Sequence, residues 1–226
     1  MKLLKEQASE SYLVGMLLAI AGGYLDVYTY VCRGGIFANA QTGNIVLLGI
    51  SAADQKWSKI GGYTYPILAF MAGILVAEFV KHKFRNRLVI HWRQVVLALE
   101  ILVLWTIAFV PSGLHDDAVN VAVSFVCSMQ VESFRTFHGS SAYATTMCTG
   151  NLRSATEQLF RYNVSRDKRA IRKSLEYYGI ILFFITGAVI GTVLTRKFQE
   201  KSALVVCVLL LSVFVIMLIP AENQKK

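Results

Sequence analysis

Two carboxylates set in apolar stretches, and one tripeptide that occurs twice, are the residues of this chain best suited to chemistry. Asp26 follows Gly22-Gly23-Tyr24-Leu25, and Glu132 sits between Gln130 and Arg135 in a second apolar stretch. Thr42-Gly43-Asn44 follows the first, and Thr149-Gly150-Asn151 follows the second 107 positions later. An ionisable group at the centre of a membrane costs at least ~2.5–3.5 kcal/mol unless it is paired, hydrated or protonated, so it marks an ion or proton path by default. Glu132 and Arg135 are three apart and share a helix face. Arg135 is also a candidate partner for Asp26, and in the plainer reading that pair only locks two helices together.

The tripeptides add a second kind of chemistry. The glycine pair in Arg33-Gly34-Gly35 breaks a helix, as does His138-Gly139-Ser140-Ser141 before the second copy. Helix can resume at each tripeptide, with Thr or Asn as its N-cap. A new helix start offers free N–H groups and a positive dipole end, which suits an anion or a carbonyl. The bland alternative is a capped turn that merely starts a helix. Substrate or ion contacts are therefore expected from Asp26, Thr42, Gly43, Asn44, Gln130, Glu132, Arg135, Thr149, Gly150 and Asn151.

The elements that position these residues are apolar helices. Hydrophobic residues make up 55% of the chain and charged ones only 16%, a balance that favours a membrane protein. Apolar runs at 12–32, 63–80, 95–110, 118–134, 178–194 and 203–219 approach the ~20 residues that cross the hydrocarbon as a helix. The net charge of +9 is distributed in alternate connections. Lys81, Lys83, Arg85, Arg87 and Arg93 fill one, and Arg153 through Lys173 fill another, whereas 111–117 has no Lys or Arg. That alternation is the positive-inside pattern and places both termini in the cytoplasm. It accounts for the charge without nucleic acid.

The duplication extends beyond the tripeptides. Phe70-Met71-Ala72-Gly73 matches Phe184-Ile185-Thr186-Gly187, and Val110-Pro111 matches Ile219-Pro220. The fold expected is an all-α membrane protein, one integral domain over 1–226, with repeat one at 12–111 and repeat two at 116–220. Three crossings per half is an odd number, so six transmembrane helices would form two inverted three-helix repeats, each with a broken or re-entrant Thr-Gly-Asn segment. Gly73/Ala77 and Gly187/Gly191 are small-xxx-small faces, suited to packing between halves or to a homodimer seam.

The remaining polar groups carry less. Glu100 is a lone acid in its span, Glu78 lies near a cytoplasmic end, and His138 is a helix-end residue or a proton relay. Cys32, Cys127, Cys148 and Cys207 have no paired spacing and read as reduced, apolar side chains. No nucleophile elbow, metal-ligand spacing, phosphate loop or dinucleotide fingerprint is present, so neither an enzyme nor a bound cofactor or metal is expected.

Gly22-Gly23-Tyr24-Leu25-Asp26, Phe37, Thr42-Gly43-Asn44, Gln130 and Thr145-Thr146-Met147-Cys148-Thr149-Gly150-Asn151 together resemble the YoaK family of bacterial multi-pass membrane proteins. The resemblance runs from about residue 12 to 220 and implies a small inner-membrane protein of unknown function. Sequence reasoning arrives at a secondary transporter for a small polar or anionic solute, coupled to a proton or cation. A non-transporting scaffold and a lipid-modifying membrane enzyme are the alternatives.

Overall fold

The computed structural model describes residues 11–84, 91–137, 141–142 and 147–218. Arg85, Arg87, His138, Gly139, Ser140, Thr145, Thr146, Ile219 and Pro220 lie outside the described residues. Eight α-helices are present among the described residues: α1 (Tyr12–Cys32), α2 (Gln41–Ala53), α3 (Trp57–Phe84), α4 (Trp92–Ile107), α5 (Asp116–Ser133), α6 (Cys148–Ser165), α7 (Lys168–Phe198) and α8 (Ala203–Leu218). A 3-10 turn (Gln199–Ser202) joins α7 to α8. Among the described residues one sheet forms, pairing β1 (Thr136–Phe137) with β2 (Ser141–Ala142), antiparallel, where the sequence suggested only a break.

Among the described residues, three stretches are long and apolar enough to cross a membrane: Tyr12–Cys32, Trp57–Phe84 and Lys168–Leu218, the last interrupted by the 3-10 turn. Length and apolarity alone do not carry all six expected crossings. Helix α4 has 16 residues, about 24 Å at the α-helical rise, and α5 carries Asp116, Asp117 and Glu132. The surface is nonetheless membrane-like. Large apolar side chains face outward on α3, α4, α7 and α8, Leu75, Leu102, Val189 and Val208 among them, while Ser124, Ser128, Gln130 and Ser133 of α5 are buried. Soluble proteins place charged and amide side chains mostly at the surface; lipid-facing helices reverse that preference.

Local chemistry sets the helix ends. Ser11 caps α1, its Oγ accepting from the Val14 N–H at 3.3 Å. Asp167 caps α7 through the Arg169 N–H at 2.9 Å, and His91 with Gln94 forms a capping box at α4. Helix α1 stops because Gly34 and Gly35 take φ of +86° and +81°, a region other residues rarely enter. There the chain reverses and runs back along α1. Asn39 and Ala40 donate backbone N–H groups to Asp26, seven residues below the Arg33 end, or about 10 Å down the helix. From that depth α2 climbs outward again.

Helix α1 packs on α7, and α5 packs on α3. Helix α2 lies on α3, α6 lies on α7, and α4 meets α5 and α8. The main core is shared by α1, α4, α5 and α8, with Leu25, Tyr28, Leu104, Val123 and Leu210 at its centre. Small residues let the pairs approach. A Cβ on Gly187 would run into the Ile20 carbonyl, and one on Gly73 into the Phe125 carbonyl and the Ser128 hydroxyl. Both small-xxx-small faces are therefore occupied within the chain, Gly187/Gly191 by α1 and Gly73 by α5. Backbone carbonyls cannot step aside as flexible side chains do. Gly187→Ala is expected to cost about 1–3 kcal/mol by overpacking, read as a lower unfolding midpoint in detergent. Gly49→Ala, in open space within α2, serves as the control and should leave that midpoint unchanged or slightly raised, since alanine is the better helix former.

Candidate functional site

A cavity of about 510 Å³ lies between α1, α3, α7 and the starts of α2 and α6. Asp26, Thr42, Thr149 and Gly150 line it together, with Asn39 and Cys148 beside them. Phe37, Phe70 and Phe184 supply aromatic walls. Among the described residues, no Lys or Arg side chain lines this cavity.

The threonine that opens each tripeptide sits two residues past the N-cap of its helix. Helix α2 begins at Gln41 with Ala40 as N-cap, and α6 begins at Cys148 with Met147 as N-cap. Neither cap makes a side-chain hydrogen bond, so the expected Thr or Asn cap is corrected. The three positions divide the work. Thr42 and Thr149 are exposed to the cavity. Gly43 lies against the Phe37 ring, where a Cβ would come within 2.9 Å. Asn44 is buried and clasps the returning segment: Oδ1 accepts the Phe37 N–H at 3.0 Å, and Nδ2 donates to the Phe37 carbonyl at 2.8 Å. Asn151 is buried at the matching position of α6. The asparagines therefore build the site and the threonines face it.

Asp26 is 5% exposed. Its Oδ1 accepts the Asn39 N–H at 2.6 Å and the Ala40 N–H at 3.2 Å. These donors lie at the head of α2, so Asp26 supplies the negative charge that a helix start favours. Arg135 is not its partner. The Arg135 guanidinium, 64% exposed, lies 3.8 Å from Glu132. Glu132 is within electrostatic range of Glu78 and Lys81 and does not line the cavity. The helix crossings explain the difference. Gly187 meets Ile20 as Gly73 meets Phe125, which registers α5 on α1 at an offset of 105 and sets Val131, not Glu132, opposite Asp26. An ion pair 3.8 Å long with one partner exposed contributes little. Glu132→Gln is expected to change stability by less than about 1 kcal/mol, measured as the unfolding free energy in detergent; a larger loss would contradict this placement.

Gln130 also leaves the cavity. It is 1% exposed, and its Nε2 donates to both oxygens of Glu100, at 3.0 and 3.2 Å. Sequence reasoning missed Asn39, Phe37, Phe70 and Phe184 as site residues. The paired phenylalanines stood in the repeated Phe-x-x-Gly pattern and were legible there; Asn39 had no signal beyond its place between the glycine break and the tripeptide. Arg33, at the glycine break, is wholly buried: it donates to the Tyr28 hydroxyl, Asp116 and the carbonyls of Ile107 and Val110.

The outward apolar faces and the three stretches long enough to span define an all-helical membrane protein. A family model described as "Protein of unknown function (DUF1275)" matches residues 14–217, and the chain belongs to that family. It is 25% identical over 218 residues to the UPF0700 transmembrane protein YoaK of Bacillus subtilis (strain 168), across 92% of this chain and 95% of that relative. No solved structure matches the chain.

Proposed function

We propose that the protein is a secondary transporter of the bacterial inner membrane that carries a small polar or anionic solute, coupled to a proton or cation at Asp26. The observation that carries this reading is the shared cavity: Asp26 and both tripeptide helix starts line one space. Its volume is within the ~300–1,000 Å³ of small-molecule sites. Broken helices whose N-termini point at an anionic substrate group recur in carriers built from inverted repeats. Asp26 already serves the α2 start, whereas the α6 N-cap, Met147, makes no side-chain hydrogen bond of its own. A solute anion is therefore expected at Cys148, Thr149 and Gly150.

The same reading takes the six longest apolar helices as crossings, in two inverted halves with both termini cytoplasmic. The packing pattern supports this, since exchanging α1 with α5, α2 with α6, α3 with α7 and α4 with α8 returns the same principal helix pairs. The glycine contacts at Gly73 and Gly187 repeat in the same way. Helices α2 and α6 are then half-helices, one opening to each face. Protonating Asp26 would turn two charge-assisted bonds into neutral ones of roughly half the strength. That change loosens the returning segment and gives solute movement a proton dependence.

The scaffold alternative has one observation in its favour: both hydrogen bonds of Asp26 go to backbone N–H groups, a structural use. Flux separates the two. Proteoliposomes loaded with a pH-sensitive dye are exposed to a panel of small organic and inorganic anions. A carrier moves protons with at least one anion in the wild type and not in Asp26→Asn. Proton movement that is identical with and without the aspartate for every anion rejects the transport role of Asp26.

A further inference from the structure

A groove of about 310 Å³ lies where α6 ends and α7 begins, with Phe160, Arg161, Val164, Ser165, Asp167 and Ala170 in its walls. Phe160 and Val164 are large and apolar, yet they are 67% and 71% exposed. The cations around them, Arg161, Arg166, Lys168 and Arg169, are exposed as well. No carboxylate pairs with Arg161, Lys168 or Arg169 among the described residues. Asp167 is engaged at the α7 start, where its Oδ1 accepts the Arg169 N–H. The positive-inside pattern accounts for the number of these charges. It does not account for two large apolar side chains set in the open among them. Exposed apolar groups rimmed by polar ones mark a surface that meets a membrane or a partner.

Depth favours the membrane. The Ser174 hydroxyl donates to the Ala155 carbonyl at 2.8 Å, and the Thr156 and Tyr178 hydroxyls lie 3.2 Å apart, which fixes α6 against α7. Tyr178 opens the apolar run of α7, so this contact marks the edge of the hydrocarbon. Phe160 and Arg161 stand four and five residues further along α6, about 6–8 Å out. The headgroup layer has that depth, roughly 5–8 Å on each side of the hydrocarbon. The first repeat has no such feature. Helices α2 and α6 begin at matched positions, Gln41 and Cys148, but α2 has 13 residues and α6 has 18. Helix α2 contains no charged residue, and Ile45, Val46 and Ile50 face outward from it. The extra turn from Arg161 to Ser165, and the basic α7 start that follows it, are thus an addition to one half only.

We propose that the α6–α7 groove binds an anionic phospholipid of the cytoplasmic leaflet, with the lipid phosphate on Arg161 and the glycerol and first acyl carbons laid on Phe160 and Val164. A guanidinium is a planar fork that matches phosphate oxygens. Lys168 and Arg169, between Asp167 and Ala170 of the groove wall, add positive charge at its rim. Anionic lipids give the cytoplasmic surface a negative potential that draws basic segments to it. A free phosphate would answer the cations and leave the two apolar side chains without a use, so the lipid is the better complement. The cytoplasmic placement rests on the proposed orientation of the two halves. The chemistry of the groove does not depend on transport.

Full-length protein in detergent is unfolded by heat at increasing concentrations of dioleoyl phosphatidylglycerol, and in parallel with phosphatidylcholine, phosphatidylethanolamine and inorganic phosphate. A ligand of the folded state raises the midpoint as it binds, so each series gives an apparent affinity. Phosphatidylglycerol is expected to raise the wild-type midpoint to a plateau, and the other three to leave it near its starting value. Arg161→Gln and Lys168→Gln should each weaken the apparent affinity about five-fold, the contribution of one basic residue near an anionic surface. Phe160→Ser should weaken it with every charge kept. Lys56→Gln, in the matching loop of the first half, is the control and should change nothing. Should one variant fail to fold, the other two give the same comparison. Equal stabilisation by phosphatidylcholine or phosphatidylethanolamine overturns the proposal. So does a phosphatidylglycerol series that is the same in Arg161→Gln, Lys168→Gln and Phe160→Ser. A rise with inorganic phosphate alone would assign the groove to a free anion and reject the lipid. None of these readouts uses solute flux, so a failed uptake assay would leave the lipid site standing, and a failed lipid effect would leave the cavity reading standing.

Discussion

Asp26→Asn is expected to remove pH-dependent uptake and to lower the rate about 10–100-fold, the equivalent of one charge-assisted contact of roughly 1.5–3 kcal/mol. The amide is the same size, and its oxygen can still accept the Asn39 and Ala40 N–H groups that now meet Oδ1 at 2.6 and 3.2 Å. The returning segment and the α2 start should therefore keep their places while the charge disappears. Asp26→Leu is different. It strips both N–H groups of their acceptor, at about 1–3 kcal/mol for each donor left unsatisfied, and should lower the unfolding midpoint as well. Comparing the two variants separates what Asp26 does as a hydrogen-bond acceptor from what it does as a titrating group. A purely structural aspartate would leave uptake intact in Asp26→Asn.

The largest stability effect is expected at Arg33. Its guanidinium donates twice to the Tyr28 hydroxyl, once to Asp116 at 3.1 Å, and to the carbonyls of Ile107 and Val110 at 3.1 and 2.8 Å. The Asn120 amide closes the cluster by donating to the Arg33 carbonyl at 2.7 Å. One buried side chain thus ties the end of α1 to the end of α4 and the start of α5. Truncation to Ala would orphan a hydroxyl, two carbonyls and a carboxylate, at about 3–5 kcal/mol for the broken buried pair. Arg33→Lys should recover only part of this, because an ammonium is a point donor and cannot span four acceptors as a planar fork does. The measurement is the unfolding midpoint in detergent, where Arg33→Ala should rank below Arg33→Lys and both below the wild type. Equal midpoints would remove the cluster from the account of how these helices are joined.

The difference between Arg33 and Asp26 shows what a sequence discloses. Helix α1 was legible from end to end, 12 to 32, because its apolar run meets a glycine pair whose positive φ angles stop it. The tripeptides were legible as helix starts because they recur after such breaks. Their internal division was not, since the burial of Asn44 and the exposure of Thr42 depend on where Phe37 returns. Glu132 was misplaced for a related reason. Counting from the tripeptides puts it near Asp26, but the intervening loops differ in length, and only the contacts at Gly73 and Gly187 fix the true register. Nothing in the string signals that Tyr28 and three acceptors from distant segments meet at Arg33. The polar interior of α5 lowered its apparent apolarity, so its burial among other helices was visible only once they were packed.

Orientation of the two halves decides the matter most directly. Single cysteines at Lys56, Gln199 and Arg161, in a background without Cys32, Cys127, Cys148 and Cys207, are reacted with a membrane-impermeant thiol reagent in intact bacteria and in opened cells. Inverted halves around one cavity predict labelling at Lys56 and Gln199 from outside, and at Arg161 only after the cells are opened. Labelling of Lys56 and Gln199 from opposite faces would contradict the inverted arrangement, and with it a midplane site shared by Asp26, Thr42 and Thr149.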